Sequence, residues 1–287
     1  MHGNLIKNLS RNIRLHNNIN NVKINVTNFN VINRSIADTG PIALEMLDVD
    51  LFRSKTLWKP VGARAVYGGQ VVGQALAASK ECIKDTKELH SLHSYFLKGG
   101  DPDMPILYRV RKVNSTNNFE MHSISAKQNG QIIFSCQASY HRPEKTTLFH
   151  ERSMPDSPPP ESLSSQETLL GNLLDDSRLP ERSRDIIIEA LKTPFAIDVR
   201  EVKPIDLFKT EKREPRKLVW MKTRLDLDPN DANLHRCYAA FASDWGLAGA
   251  SLLPHGLHFS HPKLKVKFLD IYNHLIPMLY NYDYIRK

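Results

Sequence analysis

The strongest folding constraint in this chain is one long helical pattern followed by four strand-like runs. The helix opens at Gly68-Gly69 and carries Val72, Ala75, Leu76, Ser79, Cys82 and Ile83 at helical spacing. The runs cover 89–97, 106–114, 119–128 and 131–141. Gly99-Gly100-Asp101-Pro102, the stretch 114–118 and Asn129-Gly130 mark the turns between them. Asn-Gly between two alternating runs favours a two-residue hairpin, because both residues tolerate positive φ. A helix followed by an antiparallel meander buries both apolar faces when the sheet curls around the helix. The expected fold class is therefore α+β. A shorter run at 47–57 precedes the helix as a strand or a short helix.

The plan then starts again. Residues 143–184 read as a linker, because Met154-Pro155-Asp156-Ser157-Pro158-Pro159-Pro160 cannot pair in a sheet interior. A short helix is expected within 161–174. Strands are expected over 195–208 and 217–226, then a helix over 228–253 with a cap-like start at Asp228-Pro229-Asn230-Asp231. A complete second copy needs about four more strands of roughly 5–6 residues each. About 30 residues follow the second helix, so the second unit is expected to be partial.

The net charge of +8 is unevenly spread. Lys7, Arg11, Arg14, Lys23 and Arg34 sit in residues 1–37 with no acid among them, which leaves +3 for all the rest. That distribution gives no reason to invoke nucleic acid. The basic, Asn-rich start reads equally as a targeting presequence or as a disordered tail. No apolar run reaches spanning length, and the nearest, 237–253, is interrupted by Asp244. Cys82, Cys136 and Cys237 are widely spaced and odd in number. They read as core thiols in a reducing compartment rather than as a disulfide framework.

Asp244 is the best lead to function. Leu234, Cys237, Tyr238, Phe241 and Trp245 form an apolar stripe, and Asp244 lies at its edge. A carboxylate there is costly to bury unless it has a task, as a base or as a partner for a nearby donor. At the first helix, Gly68, Gly69 and Gln70 could offer N–H groups at a helix N-terminus to a developing oxyanion. The simpler alternative is that these glycines merely permit tight helix–sheet packing. His90 and His93 make a poor metal pair on a strand. His255, His258 and His261 lack a carboxylate or thiolate to complete a site, so no metal is expected.

These segments together resemble the type II, TesB-like acyl-CoA thioesterases, with the eukaryotic peroxisomal branch the nearest. The matching pieces are Tyr67-Gly68-Gly69-Gln70 through Leu76, His90 through Leu97, and Gln128-Asn129-Gly130 with 132–140. The Pro-rich 154–160, Ser243-Asp244 and Leu252-Leu253-Pro254-His255 complete the set, which spans roughly 45–269. The resemblance implies a double hot-dog fold, in which a curved antiparallel sheet wraps a helix twice, with the second hot-dog truncated here. It divides the chain into a disordered or targeting extension (1–40), a first hot-dog domain (41–143) and a Pro-rich linker (144–186). A partial second hot-dog domain (187–269) and a non-family tail (270–287) follow.

The resemblance also implies hydrolysis of fatty acyl-CoA without a cofactor, by water held between an Asp, a Ser or Thr, and a Gln. Asp244 matches the Asp. The other two are not found, since after Lys267-Phe268-Leu269 the chain departs from the family's pattern. Two readings stay open, an acyl-CoA hydrolase and an impaired form that only binds acyl-CoA or associates with a subunit. A second helix short of its sheet is expected to lean on a partner, such as a second copy. The resemblance places the chain in the peroxisomal matrix, although it ends in Tyr284-Ile285-Arg286-Lys287 rather than a Ser-Lys-Leu-type signal. The basic N-terminus supports the mitochondrial matrix instead.

Overall fold

The computed structural model describes residues 40–84, 86–145, 148, 150, 153–209, 211–257 and, for the backbone, 270–274. Strands β1 (Leu44–Asp48) and β2 (Leu51–Ser54) form a hairpin, so the early run is two strands. Helix α1 (Gly68–Glu81) starts where its glycines placed it. Strands β3 (Glu88–Phe96), β4 (Leu107–Ser115), β5 (Phe119–Gln128) and β6 (Gln131–His141) follow, matching the four expected runs to within a residue. Next come α2 (Gln166–Leu174), α3 (Glu181–Lys192), β7 (Ile197–Glu201), β8 (Val219–Thr223), α4 (Ala232–Ser243), α5 (Leu247–Leu252) and β9 (Asp270–His274).

Three expectations change. The stretch assigned to a linker is partly helical, because α3 was not anticipated. Its three consecutive isoleucines blur the helical period, and only Ile187 among them is buried. The strands expected over 195–208 and 217–226 shrink to the β7–β8 pair. The single helix expected over 228–253 is two helices, α4 and α5, broken after Asp244. The extension 1–39 and residues 275–287 lie outside the described residues. Within the stretch expected to be a non-family tail, 270–274 supplies a strand of the main sheet.

That sheet is antiparallel and runs β1-β2-β4-β5-β6-β3-β9. The β5–β6 hairpin turns at Asn129 and Gly130, whose φ values are 50° and 73°. Both are left-handed, which is why Asn-Gly is suited to the position. The inner face of the sheet buries Phe52, Tyr108, Ile124, Phe134 and Ala138. Against it lies α1, buried from Gly69 to Ser79, with α4 packed on its other side.

A helix covered all round is ordinarily apolar throughout, yet α1 carries Gln70, Gln74 and Ser79 at 0% exposure. The two amides are fully bonded. Gln70 Nε2 donates to the carbonyls of Pro41 (2.7 Å) and Thr56 (3.1 Å), and Gln74 Nε2 donates to the same pair at 3.1 and 3.0 Å. Gln70 Oε1 accepts the Trp58 N–H, and Gln74 Oε1 accepts the Tyr108 hydroxyl. One helical turn apart, they form two rungs that pin residues 41–58 onto α1. Satisfying every donor and acceptor is what makes their burial affordable.

Candidate active site

The site forms where the end of α4 meets the start of α1. Asp231 caps α4 by accepting the Leu234 N–H at 2.9 Å. Cys237, Tyr238 and Phe241 are buried, while Leu234 and Trp245 pack at the edge of the core. The helix stops at Ser243 with Asp244 as its C-cap. Gly246 then takes φ +81°, a conformation that costs glycine little and other residues more. Asp244 therefore sits at a helix end, not within a continuous helix, and its carboxylate turns back towards α1.

There it accepts the Gly69 N–H at 3.0 Å. The first N–H groups of a helix have no partner inside the helix, and its positive end favours an anion. Burial nonetheless dominates and pushes the Asp244 carboxyl above the ordinary Asp value, with the Gly69 N–H pulling the other way. A raised pKa makes the carboxylate a better proton acceptor. Asp244 is only half-buried, so water can reach it.

The glycines allow this approach. A Cβ on Gly68 would lie 2.9 Å from Asp244 Oδ2 and 3.2 Å from the Phe96 ring. On Gly69 it would lie 2.2 Å from the Phe241 carbonyl oxygen. The close packing is thus of helix against helix as well as helix against sheet. The Gly69 N–H is engaged by Asp244. The Gln70 N–H bonds to the Tyr67 carbonyl, and the Gln70 side chain holds the 41–58 segment. Gly68 supplies the first N–H of α1.

An aromatic cluster borders the carboxylate. Tyr67 makes edge contacts with Trp58 (5.6 Å), Phe195 (5.4 Å) and Phe241 (5.3 Å), while Phe195 stacks on Trp245 at 4.4 Å. These rings come from both halves of the chain, and Tyr67 lies near enough to Asp244 to feel its charge. Tyr67 is legible in the sequence only as part of a motif, and Trp58 and Phe195 carry no site signal there. Aromatic residues spread over nearly two hundred positions give no local signal of meeting.

A second polar cluster was also missed. Tyr140 donates to Ser79 Oγ (2.8 Å), Ser79 Oγ meets His122 Nδ1 (2.8 Å), and His122 Nε2 meets Glu120 Oε1 (2.9 Å). Glu120 also bonds Lys112 Nζ at 2.8 Å and Ser115 Oγ at 2.9 Å, with Lys87 Nζ at 3.5 Å. Burial would raise Glu120, but the bonds from Lys112, His122 and Ser115 outweigh it and bring the carboxyl down to about 2. Ser79 and His122 are sealed from solvent, which suits structure rather than catalysis.

Among the described residues no cluster of three or more His, Cys, Asp or Glu could hold a metal. His90 bonds Ser139 Oγ through Nε2 at 2.9 Å. His258 and His261 lie outside the described residues. No described helix is long and apolar enough to cross a membrane. A cavity of about 820 Å³ opens around Lys203, Arg213, Arg216 and Leu253, but neither Asp244 nor Gly69 lines it. The hydrogen-bond geometry at Asp244, not cavity size, locates the candidate site.

Comparison with known proteins identifies what the chain resembles. Residues 55–141 match the model of the acyl-CoA thioesterase N-terminal domain. Human acyl-coenzyme A thioesterase 8 is 37% identical over 222 residues, which cover 77% of this chain and 69% of that protein. The peroxisomal acyl-coenzyme A thioester hydrolase 1 of Saccharomyces cerevisiae is 36% identical over 99 residues, 33% of this chain and 28% of its own. Among solved structures, an acyl-CoA thioesterase II, TesB2, from Mycobacterium marinum superposes with a TM-score of 0.56 at 27% identity. That match covers 81% of this chain and 75% of the other. The α+β class expected from the helix and meander, and the hot-dog fold that the resemblance implies, are the architecture observed.

Proposed function

The chain belongs to the acyl-CoA thioesterase family, and from that premise we propose that it hydrolyses acyl-CoA to a free acid and CoA, with Asp244 as the base. The observation that carries this reading is the half-buried Asp244 carboxylate held on the first turn of α1 by the Gly69 N–H. Asp244 orients a water and takes its proton as the oxygen attacks the thioester carbonyl carbon. The carbonyl electrons move onto oxygen and give a tetrahedral oxyanion. The N-terminal end of α1, with Gly68 as its first donor, favours that charge. When the oxyanion collapses, the C–S bond breaks and CoA leaves as a thiolate that is then protonated. No redox group or cofactor takes part in these steps.

The test is hydrolysis of short, medium and long acyl-CoAs by the purified chain beside Asp244→Asn. Activity in the parent that is lost in the variant supports the reading, and equal rates in the two sink it. One observation favours acyl-CoA binding without turnover instead. The Ser or Thr that the resemblance implies is not found after Leu269, where the chain reads Asp270-Ile271-Tyr272-Asn273-His274. Saturable acyl-CoA binding with no release of CoA thiol would decide for that second reading. The peroxisomal matrix is the compartment this function favours, supported by the name of the yeast relative. Imaging of the tagged chain in mitochondria would overturn it.

A further inference from the structure

We propose that the hydroxyl of Tyr67 is a positioning group for Asp244. The proposal rests on the reading of Asp244 as the base. Tyr67 is the N-cap residue of α1 and is 6% exposed. Its hydroxyl donates to the carbonyl of Phe241 at 3.0 Å, in the last turn of α4 and three residues before Asp244. A helix leaves its final carbonyls without partners. The Trp245 N–H, which a continuing helix would give to Phe241, goes to Ala242 instead, at 3.0 Å. The Tyr67 hydroxyl takes that vacated place.

The two helix ends therefore cap each other. Asp244, at the end of α4, receives an N–H from α1, and Phe241, in the last turn of α4, receives a hydroxyl from the residue that opens α1. The second bond fixes the turn from which Asp244 projects. Without it, among the described residues the hydrogen bond from Gly69 is left to hold the carboxylate. Burial and the nearby Asp244 charge keep the Tyr67 hydroxyl protonated well above its ordinary range, so it remains a donor wherever the enzyme works. Catalytic rates are sensitive to displacements on the scale of 1 Å. A loosened last turn should therefore appear in turnover before it appears in binding.

The clean variant is Tyr67→Phe, which keeps the ring and its contacts with Trp58, Phe195 and Phe241 and removes only the hydroxyl. Two readouts are taken on the full chain. One is the split between kcat and KM, with Asp244→Asn measured alongside. The other is the pH titration of the Gly69 amide proton by NMR, which senses ionisation of Asp244 through their shared bond and needs no turnover. The expected result is a kcat lowered about tenfold with KM unchanged, and a smaller titration amplitude at Gly69. Parent-like kcat and parent-like amplitude in Tyr67→Phe, beside an inactive Asp244→Asn, overturn the positioning role and leave the base assignment standing. Parent-like activity in Asp244→Asn overturns the base assignment and the positioning role with it.

Discussion

The N–H of Gly69 and the carboxylate of Asp244 meet at 3.0 Å across 175 positions of sequence. The contact exists because Gly69 has no Cβ to hold the Phe241 carbonyl away and because Gly246 ends the second helix pattern where it does. It joins an anion that burial disfavours to a helix end that favours anions. The carboxylate is left held, half-buried and more basic than an exposed aspartate.

Asp244→Asn should therefore separate activity from stability. The amide keeps an oxygen for the Gly69 N–H but cannot take a proton from water, and kcat should fall by about 10²–10⁴. The sign of the stability effect follows from the raised pKa. Burial disfavours the ionised form in the folded state, so the contribution of Asp244 is most favourable below the ordinary Asp value. It is lost as pH rises through the folded value. At neutral pH the Asn variant should melt no lower than the parent. The parent's kcat should fall on the acid side with an apparent pKa above that of a free Asp side chain. A variant that both melts lower and keeps its kcat would contradict this account.

Gly69→Ala tests the helix approach. The new methyl would sit 2.2 Å from a backbone oxygen, and a backbone oxygen cannot swing aside as a side chain can. Either α1 and α4 move apart or the last turn of α4 distorts. Overpacking of this kind costs about 1–3 kcal/mol. Both outcomes lengthen the bond to Asp244, so activity and the urea midpoint should fall together. Gly171→Ala is the control, because a Cβ there meets nothing within 4 Å. An unchanged midpoint in Gly69→Ala would show that the helices are looser than the contact implies.

What the sequence conveyed follows from how local each signal was. Asn129-Gly130 sets its turn with two residues, so the hairpin could be read directly. The start of α1 at Gly68 was equally local. The break after Asp244 was not read, because one glycine inside an apolar period does not announce a left-handed turn. Glu120 and His122 were passed over for a different reason. Strand alternation points them inward, but burial of an acid and an imidazole becomes favourable only when Lys87, Lys112 and Ser79 arrive from other elements. The site was half legible for the same reason. Asp244 stood out as a charge beside an apolar stripe, whereas the donor that holds it and the hydroxyl of Tyr67 depend on contacts more than 170 positions away.

The three thiols should be inert in the native chain. Burial raises Cys82 to about 11 and Cys237 to about 12, and pushes Cys136 higher still. Alkylation proceeds through the thiolate, which is scarce at such values. At pH near 8, iodoacetamide should label the native chain slowly, with the half-buried Cys82 first, and all three rapidly once urea unfolds it. Mass spectrometry of timed samples gives the order. Rapid labelling of a cysteine in the native state would show that its surroundings are less closed than described.

Glu120→Gln should be strongly destabilising, and its effect should depend on pH. Glu120 faces Lys87, and both side chains are 4% exposed, so its charge offsets another that is sealed from water. Removing one partner of such a buried pair costs about 3–5 kcal/mol. Lys112→Gln should cost far less, about 0–1 kcal/mol, because Lys112 is 48% exposed and solvent replaces its half of the contact. The folded Glu120 carboxyl is depressed to about 2. Its contribution is therefore complete above the ordinary Glu value and is lost as pH falls through that window towards about 2. Urea midpoints of parent and Glu120→Gln should lie far apart at neutral pH and converge as the solution is acidified through that window. A gap that stays constant throughout would mean that the loss comes from packing rather than charge.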